Sequence, residues 1–193
     1  RFVTEHPGPL LDAPGVSGWA GIKGAYIPEA DRVLSIQGIP QALGISQERY
    51  RRVQGDIFSC AQERNLPLLY HVNLAEHFDW LREMLTAYPR LRICIPHLGY
   101  SLRRITELLE RFRNTYTDPS YLIAVLRKNN PRYCSFIQAF HTRILSGSDA
   151  VLVSNPIEEI LSYARYFSEL AVGEEMKRRI LRENARSFLS PPG

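Results

Sequence analysis

From Leu66 onward the chain repeats one unit: a short, mostly apolar run, then an amphipathic helix, then a brief connection. Leu66-Pro67-Leu68-Leu69-Tyr70-His71-Val72 has the near-continuous hydrophobicity of a strand buried on both faces. Glu76 to Tyr88 follows with Phe78, Leu81, Leu85 and Tyr88 at helical spacing, and Pro89 stops it. Leu91 to His97 is the next strand. Leu102, Ile105, Leu108, Leu109 and Phe112 mark the next helix, opened by Ser101 as its cap. Asn114 to Asp118 and Arg143 to Gly147 read as further strands, separated by helical pieces at Ser120–Arg127 and Tyr133–Phe140. Ile157, Ile160, Leu161, Ala164 and Phe167 stripe another helix, and a last one runs from Glu174 to Leu189. Upstream, Ala20 to Tyr26 reads as a strand, and Ser46 to Arg64 as a helix with Tyr50, Val53, Ile57 and Ala61 on one side.

This alternation specifies an α/β fold in which helices cover a parallel sheet. An open doubly wound sheet and a closed barrel both satisfy it. Gly21 and Gly24 lie inside a strand rather than after one, which speaks against a dinucleotide-binding loop. The polar residues point further. Three strands finish on His71, His97 and Asp149, Asp118 closes a fourth, and Lys23 sits within a fifth. In a barrel all these carboxyl ends meet at one mouth, where such folds place their chemistry. Imidazole and carboxylate suit a borderline cation such as zinc, and a carboxylate beside that cation can take a proton from water. Each residue also has a plainer reading. A strand-end histidine can bond a loop carbonyl, Asp149 can cap a turn, and Asp118 before Pro119 suits a turn better than a ligand. His77 and His141 read as structural, and His6 has no placement.

Composition narrows the partners. The 193 residues suffice for one domain, 1–193, and fall short of two. No apolar run approaches the roughly 18 residues of a membrane span, and the first residues lack the apolar stretch of a signal peptide. The net charge of +4 is carried by scattered arginines interleaved with glutamate, so no nucleic-acid surface is expected. Cys60, Cys94 and Cys134 match neither zinc spacing nor a disulfide framework, which favours a reducing, cytoplasmic setting.

Several strings resemble the amidohydrolase-related (amidohydrolase 2) branch of the metal-dependent hydrolases. They are Gly21-Ile22-Lys23-Gly24, Pro67 to His71, Tyr88 to Gly99, Ile144 to Ala150 and Ile180 to Arg186, in family order. The resemblance implies a (β/α)₈ barrel of TIM type with one catalytic divalent metal, usually zinc, with manganese as the alternative. It implies His71 and Asp149 as metal ligands, Asp149 and His97 as catalytic groups, and Lys23 and His97 as substrate contacts. The implied activity is hydrolysis of a small amide, ester or lactone by metal-activated water. Non-oxidative decarboxylation of a small aromatic or unsaturated acid is the alternative, and a small-molecule carboxylic acid is the favoured partner. The family's first strand carries a His-x-His pair, and this chain has none. The expectation is therefore an incomplete barrel holding strands three to eight, with strand three over Arg1 to Glu5. Such a chain is an N-terminally truncated enzyme, is completed by a second copy or another chain, or is an inactive relative with an interaction role.

Overall fold

A computed structural model describes residues 5–13, 18–31, 33, 35–128, 131–150 and 154–190. Four strands form one parallel sheet in chain order: β1 (Ile22–Tyr26), β2 (Leu68–Val72), β3 (Ile93–Ile95) and β4 (Thr115–Thr117). The register sets Lys23 beside Leu69, Leu69 beside Cys94, and Cys94 beside Tyr116, with Ala25 beside His71. Side chains alternate across a strand, so these residues share one face. Leu68, Tyr70, Val72, Ile93, Ile95, Thr115 and Thr117 occupy the other, and all seven are buried.

Helices explain that burial. A short α1 (Gly8–Leu11) and α2 (Ile39–Leu43) precede α3 (Gln47–Glu63), followed by α4 (Leu74–Ala87) and α5 (Leu102–Arg111). Ser46, Asn73 and Ser101 cap the last three by accepting bonds from Arg49, Ala75 and Arg104 backbone N–H groups. Phe58 of α3 meets the Tyr70 ring edge-on at 4.9 Å, and the Tyr70 hydroxyl donates to Gln54 Oε1 at 2.5 Å. Trp80 of α4 stacks on Tyr26 at 3.6 Å. Arg92 donates to the carbonyls of Phe188 and Asn65 at 2.6 and 2.7 Å, and Phe188 packs on Tyr116 at 5.2 Å. The C-terminal segment thus packs at the amino end of β3 and against β4, away from the carboxyl ends of the strands.

Three expectations change in detail. Where a strand is expected over Arg143 to Gly147, a single parallel bridge joins Ile144 to Thr117. Asn184 Nδ2 donates to the Ile144 carbonyl at 2.8 Å, and the Ser146-Gly147-Ser148 run continues without strand pairing. The helical piece after β4 shortens to α6 (Ile123–Leu126), followed by α7 (Pro131–Phe140) and α8 (Pro156–Glu169). The α8 helix is rotated from the expected stripe. Tyr163, Tyr166 and Phe167 are buried, while Ile157, Ile160 and Leu161 are exposed. The Tyr163 hydroxyl accepts from Leu122 and Ile123 N–H at 2.7 and 3.0 Å and donates to the Pro119 carbonyl at 3.1 Å, which turns the aromatic side inward. The last helix runs as α9 (Glu174–Arg178), a π-turn (Arg179–Glu183) and α10 (Asn184–Leu189). The strand expected over Arg1 to Glu5 lies outside the described residues except for Glu5, which pairs with Arg49 at 3.2 Å. Among the described residues no helix is long and apolar enough to cross a membrane.

Candidate active site

A cavity of about 630 Å³ opens at the carboxyl ends of the strands and brings Lys23, His71, His97 and Asp149 together. It runs from the inner face of the sheet round the outer edge of β1 to α2 and α3. That edge has no strand beside it among the described residues. Instead the Tyr50 hydroxyl donates to the Ala25 carbonyl and accepts from Ile27 N–H, both at 2.8 Å. The four residues drawn from the sequence therefore line one wall, as barrel geometry requires.

His71 is the penultimate residue of β2, on the inner face. Its Nε2 is sealed from solvent and has no hydrogen-bond partner among the described residues. Burial, helped by the neighbouring His97, lowers its pKa to about 4 against the opposing pull of Asp31 and Asp149. The imidazole is neutral at neutral pH, the form that binds metals.

His97 stands past the end of β3, in a 3₁₀ turn (Pro96–Tyr100) rather than in the strand itself. Four consecutive residues there are left-handed: His97, Leu98, Gly99 and Tyr100, with φ of 57°, 50°, 58° and 58°. Each non-glycine in this region costs about 1–2 kcal/mol, so the surroundings must hold the turn. They do. The Asp118 carbonyl accepts from Leu98 N–H at 2.9 Å, and Asp118 Oδ1 accepts from His97 N–H at 3.4 Å. A Cβ on Gly99 would lie 2.6 Å from Leu74 Cγ and closer to Cδ1, so only glycine fits.

Asp118 is saturated by such contacts. Its Oδ1 also accepts from Ser120 N–H at 2.9 Å and from the Ser120 hydroxyl, and Cys94 Sγ lies 3.7 Å from Oδ2. This is the turn role expected for Asp118. With its proton spent on Asp118, the Ser120 hydroxyl can only accept from His97. His97 Nδ1, 3.0 Å from the Ser120 carbonyl and 2.9 Å from its hydroxyl oxygen, is then the donor. The tautomer leaves Nε2 facing Asp149 Oδ2 at 3.7 Å. Asp149 is itself left-handed, at φ 54°.

Tyr100 and Asp31 were missed in the sequence. Tyr100 packs against both histidines, with ring centroids 5.7 Å from His71 and 5.3 Å from His97. Burial, then the charges of Asp31 and Asp149, raise its pKa. The one sequence signal for it was Gly99, which marks a tight backbone approach just after an apolar run. Asp31 is a buried carboxylate in the loop after β1, and nothing in its neighbourhood of the sequence advertises the fact. The remaining histidines lie elsewhere. His77 meets Tyr26 edge-on, His141 bonds the Gln138 carbonyl, and His6 accepts from Gly8 N–H.

The donors suit a divalent ion in kind: an orphaned, neutral imidazole nitrogen and a nearby carboxylate. Among the described residues no group of three or more His, Cys, Asp or Glu side chains is arranged around one point. His71 and Asp149 share the cavity without completing such a group.

Comparison with known proteins identifies the family and the fold. An amidohydrolase family model matches residues 20–190. An uncharacterised TIM-barrel protein of Bordetella bronchiseptica superimposes with a TM-score of 0.56 at 21% identity, over 72% of this chain and 50% of that one. A 4-oxalomesaconate hydratase from Rhodopseudomonas palustris gives 0.47 at 19%, over 72% and 50%. A 2,6-dihydroxybenzoate decarboxylase from Rhizobium gives 0.47 at 16%, over 73% and 55%. The chain spans about half the length of these structures. No curated protein sequence matches it. With the family match running through every described strand, the chain belongs to the amidohydrolase family, and its sheet is an arc of a TIM barrel.

Proposed function

We propose that this chain carries the carboxyl-terminal side of a metal-dependent hydrolase site acting on a small amide, ester or lactone. The observation that carries the reading is His71 Nε2, buried, neutral and unpartnered, in the same cavity as the His97–Asp149 pair. A buried polar atom without a partner is costly in a fold and is retained where a ligand completes it. The family works generally with divalent metals. Zinc is the ion these donors favour, held by His71 and Asp149 together with donors from outside the described residues. When bound it supplies a Lewis acid that makes water more acidic and a carbonyl more electrophilic.

The chain's own residues do the rest. Asp149 Oδ2 takes the proton of the attacking water and delivers it to the leaving group. His97 Nε2, 3.7 Å from that oxygen, holds or shares the proton while Ser120 fixes the ring through Nδ1. Lys23 lines the same cavity and offers its ammonium to a substrate carboxylate. That placement favours a second reading, in which Lys23 binds an acid and His97 Nε2 or Asp149, having first taken up a proton from water, passes it to the substrate carbon as the carbon–carboxylate bond breaks and carbon dioxide leaves.

The test is zinc content per chain, with turnover of a panel of aryl esters and lactones, before and after chelation. Zinc binding and any turnover are expected to vanish in His71→Ala. In Asp149→Asn turnover is expected to fall far more than fold stability. Activity that survives His71→Ala would sink the assignment.

A further inference from the structure

We infer that the Tyr100 hydroxyl is a substrate contact, held in reserve to donate a hydrogen bond to a carbonyl or carboxylate oxygen of a ligand that enters the cavity beside His71 and His97. This deepens the proposed hydrolase reading and rests on it for the identity of the site. Three observations meet at this residue. Its ring lies against the rings of both histidines that line the cavity. Its hydroxyl oxygen is closed off from solvent and, like His71 Nε2, has no hydrogen-bond partner among the described residues. Its backbone is left-handed, φ 58°, at the end of the strained turn that begins at His97.

Each has a chemical consequence. A phenol carries its proton at neutral pH, so Tyr100 is a donor beside His97 Nε2, which is an acceptor in the tautomer set by Ser120. A left-handed tyrosine is a rare conformation, and a buried hydroxyl without a partner weakens the fold. Packing could have been met more cheaply by phenylalanine in the same place. The turn is nevertheless pinned from two sides, by Gly99 against Leu74 and by Asp118 on the backbone of His97 and Leu98. Those contacts carry Tyr100 back from the end of β3 to face β2. A structure that spends both strain and an unmade hydrogen bond on one hydroxyl is shaped for a ligand that supplies the missing acceptor.

Tyr100→Phe removes that oxygen and keeps the ring. The experiment compares the full chain with this variant in two measurements: thermal unfolding after chelation, and benzoate affinity by calorimetry in zinc-saturated and chelated protein. The variant is expected to melt no lower than the parent and to bind benzoate about three- to tenfold more weakly, the worth of one neutral hydrogen bond. A melting temperature several degrees lower would assign the hydroxyl to the fold and overturn the proposal. Equal benzoate affinity in parent and variant would overturn it too, as would a parent that binds no benzoate in either condition. A parent that takes up no zinc, yet binds benzoate more tightly than the variant, would retire the metal reading and leave the role of Tyr100 supported.

Discussion

The two faces of the sheet are built from adjacent residues and obey opposite rules. On the helix-covered face the polar groups are mostly matched: Tyr70 to Gln54, and Thr117 to the Ile95 carbonyl at 2.6 Å, with Thr115 Oγ1 the exception. Around them Leu68, Tyr70, Ile93 and Ile95 are fully buried. On the inner face, one residue along each strand, a cavity opens; there and in the turn after β3 the His71 Nε2 and Tyr100 hydroxyl atoms lack partners among the described residues, and the backbone turns left-handed at His97 and Asp149. One face stabilises the fold through apolar burial at about 25 cal/mol per Å². The other holds strain and unmade bonds that a ligand can resolve. Alternation along a strand is what allows both within a few ångströms.

The largest expected effect comes from the place where the two regimes touch, the contact of Gly99 with Leu74. Gly99→Ala puts a Cβ into the Leu74 side chain and an alanine at φ 58°. Overpacking and the left-handed backbone together are expected to cost about 2–5 kcal/mol in urea unfolding. A loss under about 0.5 kcal/mol, the scale of a neutral surface change, would show that the turn is free to move. The mouth would then not be braced by the packed side.

The same asymmetry decides what could be read from sequence. Helix-facing strands announce themselves through apolar runs, so β2, β3 and the helices after them fall where periodicity puts them. Polar residues at or beyond the ends of apolar runs pointed to His71, His97 and Asp149, and chain direction takes those ends to one mouth, although His97 stands in a turn past β3 and Asp149 follows a single bridge rather than a strand. Tyr100 escaped notice, since its relation to His71 depends on a left-handed turn that no periodicity encodes. The rotation of α8 escaped for a different reason. Its two stripes are both hydrophobic, and three hydrogen bonds to the Tyr163 hydroxyl choose between them.

A smaller effect sharpens the comparison through pH. In chelated protein the His71 pKa is about 4 in the fold against 6.5 for the free side chain. Between those values the unfolded chain binds more protons, so stability rises with pH there. The contribution is fully present above about pH 6.5 and is lost as pH falls toward 4. Moving from pH 7 to 5 is expected to cost about 1–2 kcal/mol through this group. His71→Asn should show a correspondingly flatter profile in paired urea titrations. Identical profiles would mean that water reaches His71 freely and the inner face is not desolvated.

The smallest expected effect concerns the outer surface of α8, which belongs to neither face. Ile157, Ile160 and Leu161 recur at helical spacing, yet Ile157 is 72% exposed and Ile160 53%. A side chain already in water has little burial to lose, so Ile160→Ser is expected to shift stability by less than about 0.5 kcal/mol. The measurement gains its value from the position of α8, which packs on α6 and the π-turn beyond β4, the end of the sheet opposite β1. A loss several times larger would mean that another segment or chain covers this stripe in solution. The division into a packed face and a reactive one would then extend past Ile144, and the open edge of β1 would call for the same scrutiny.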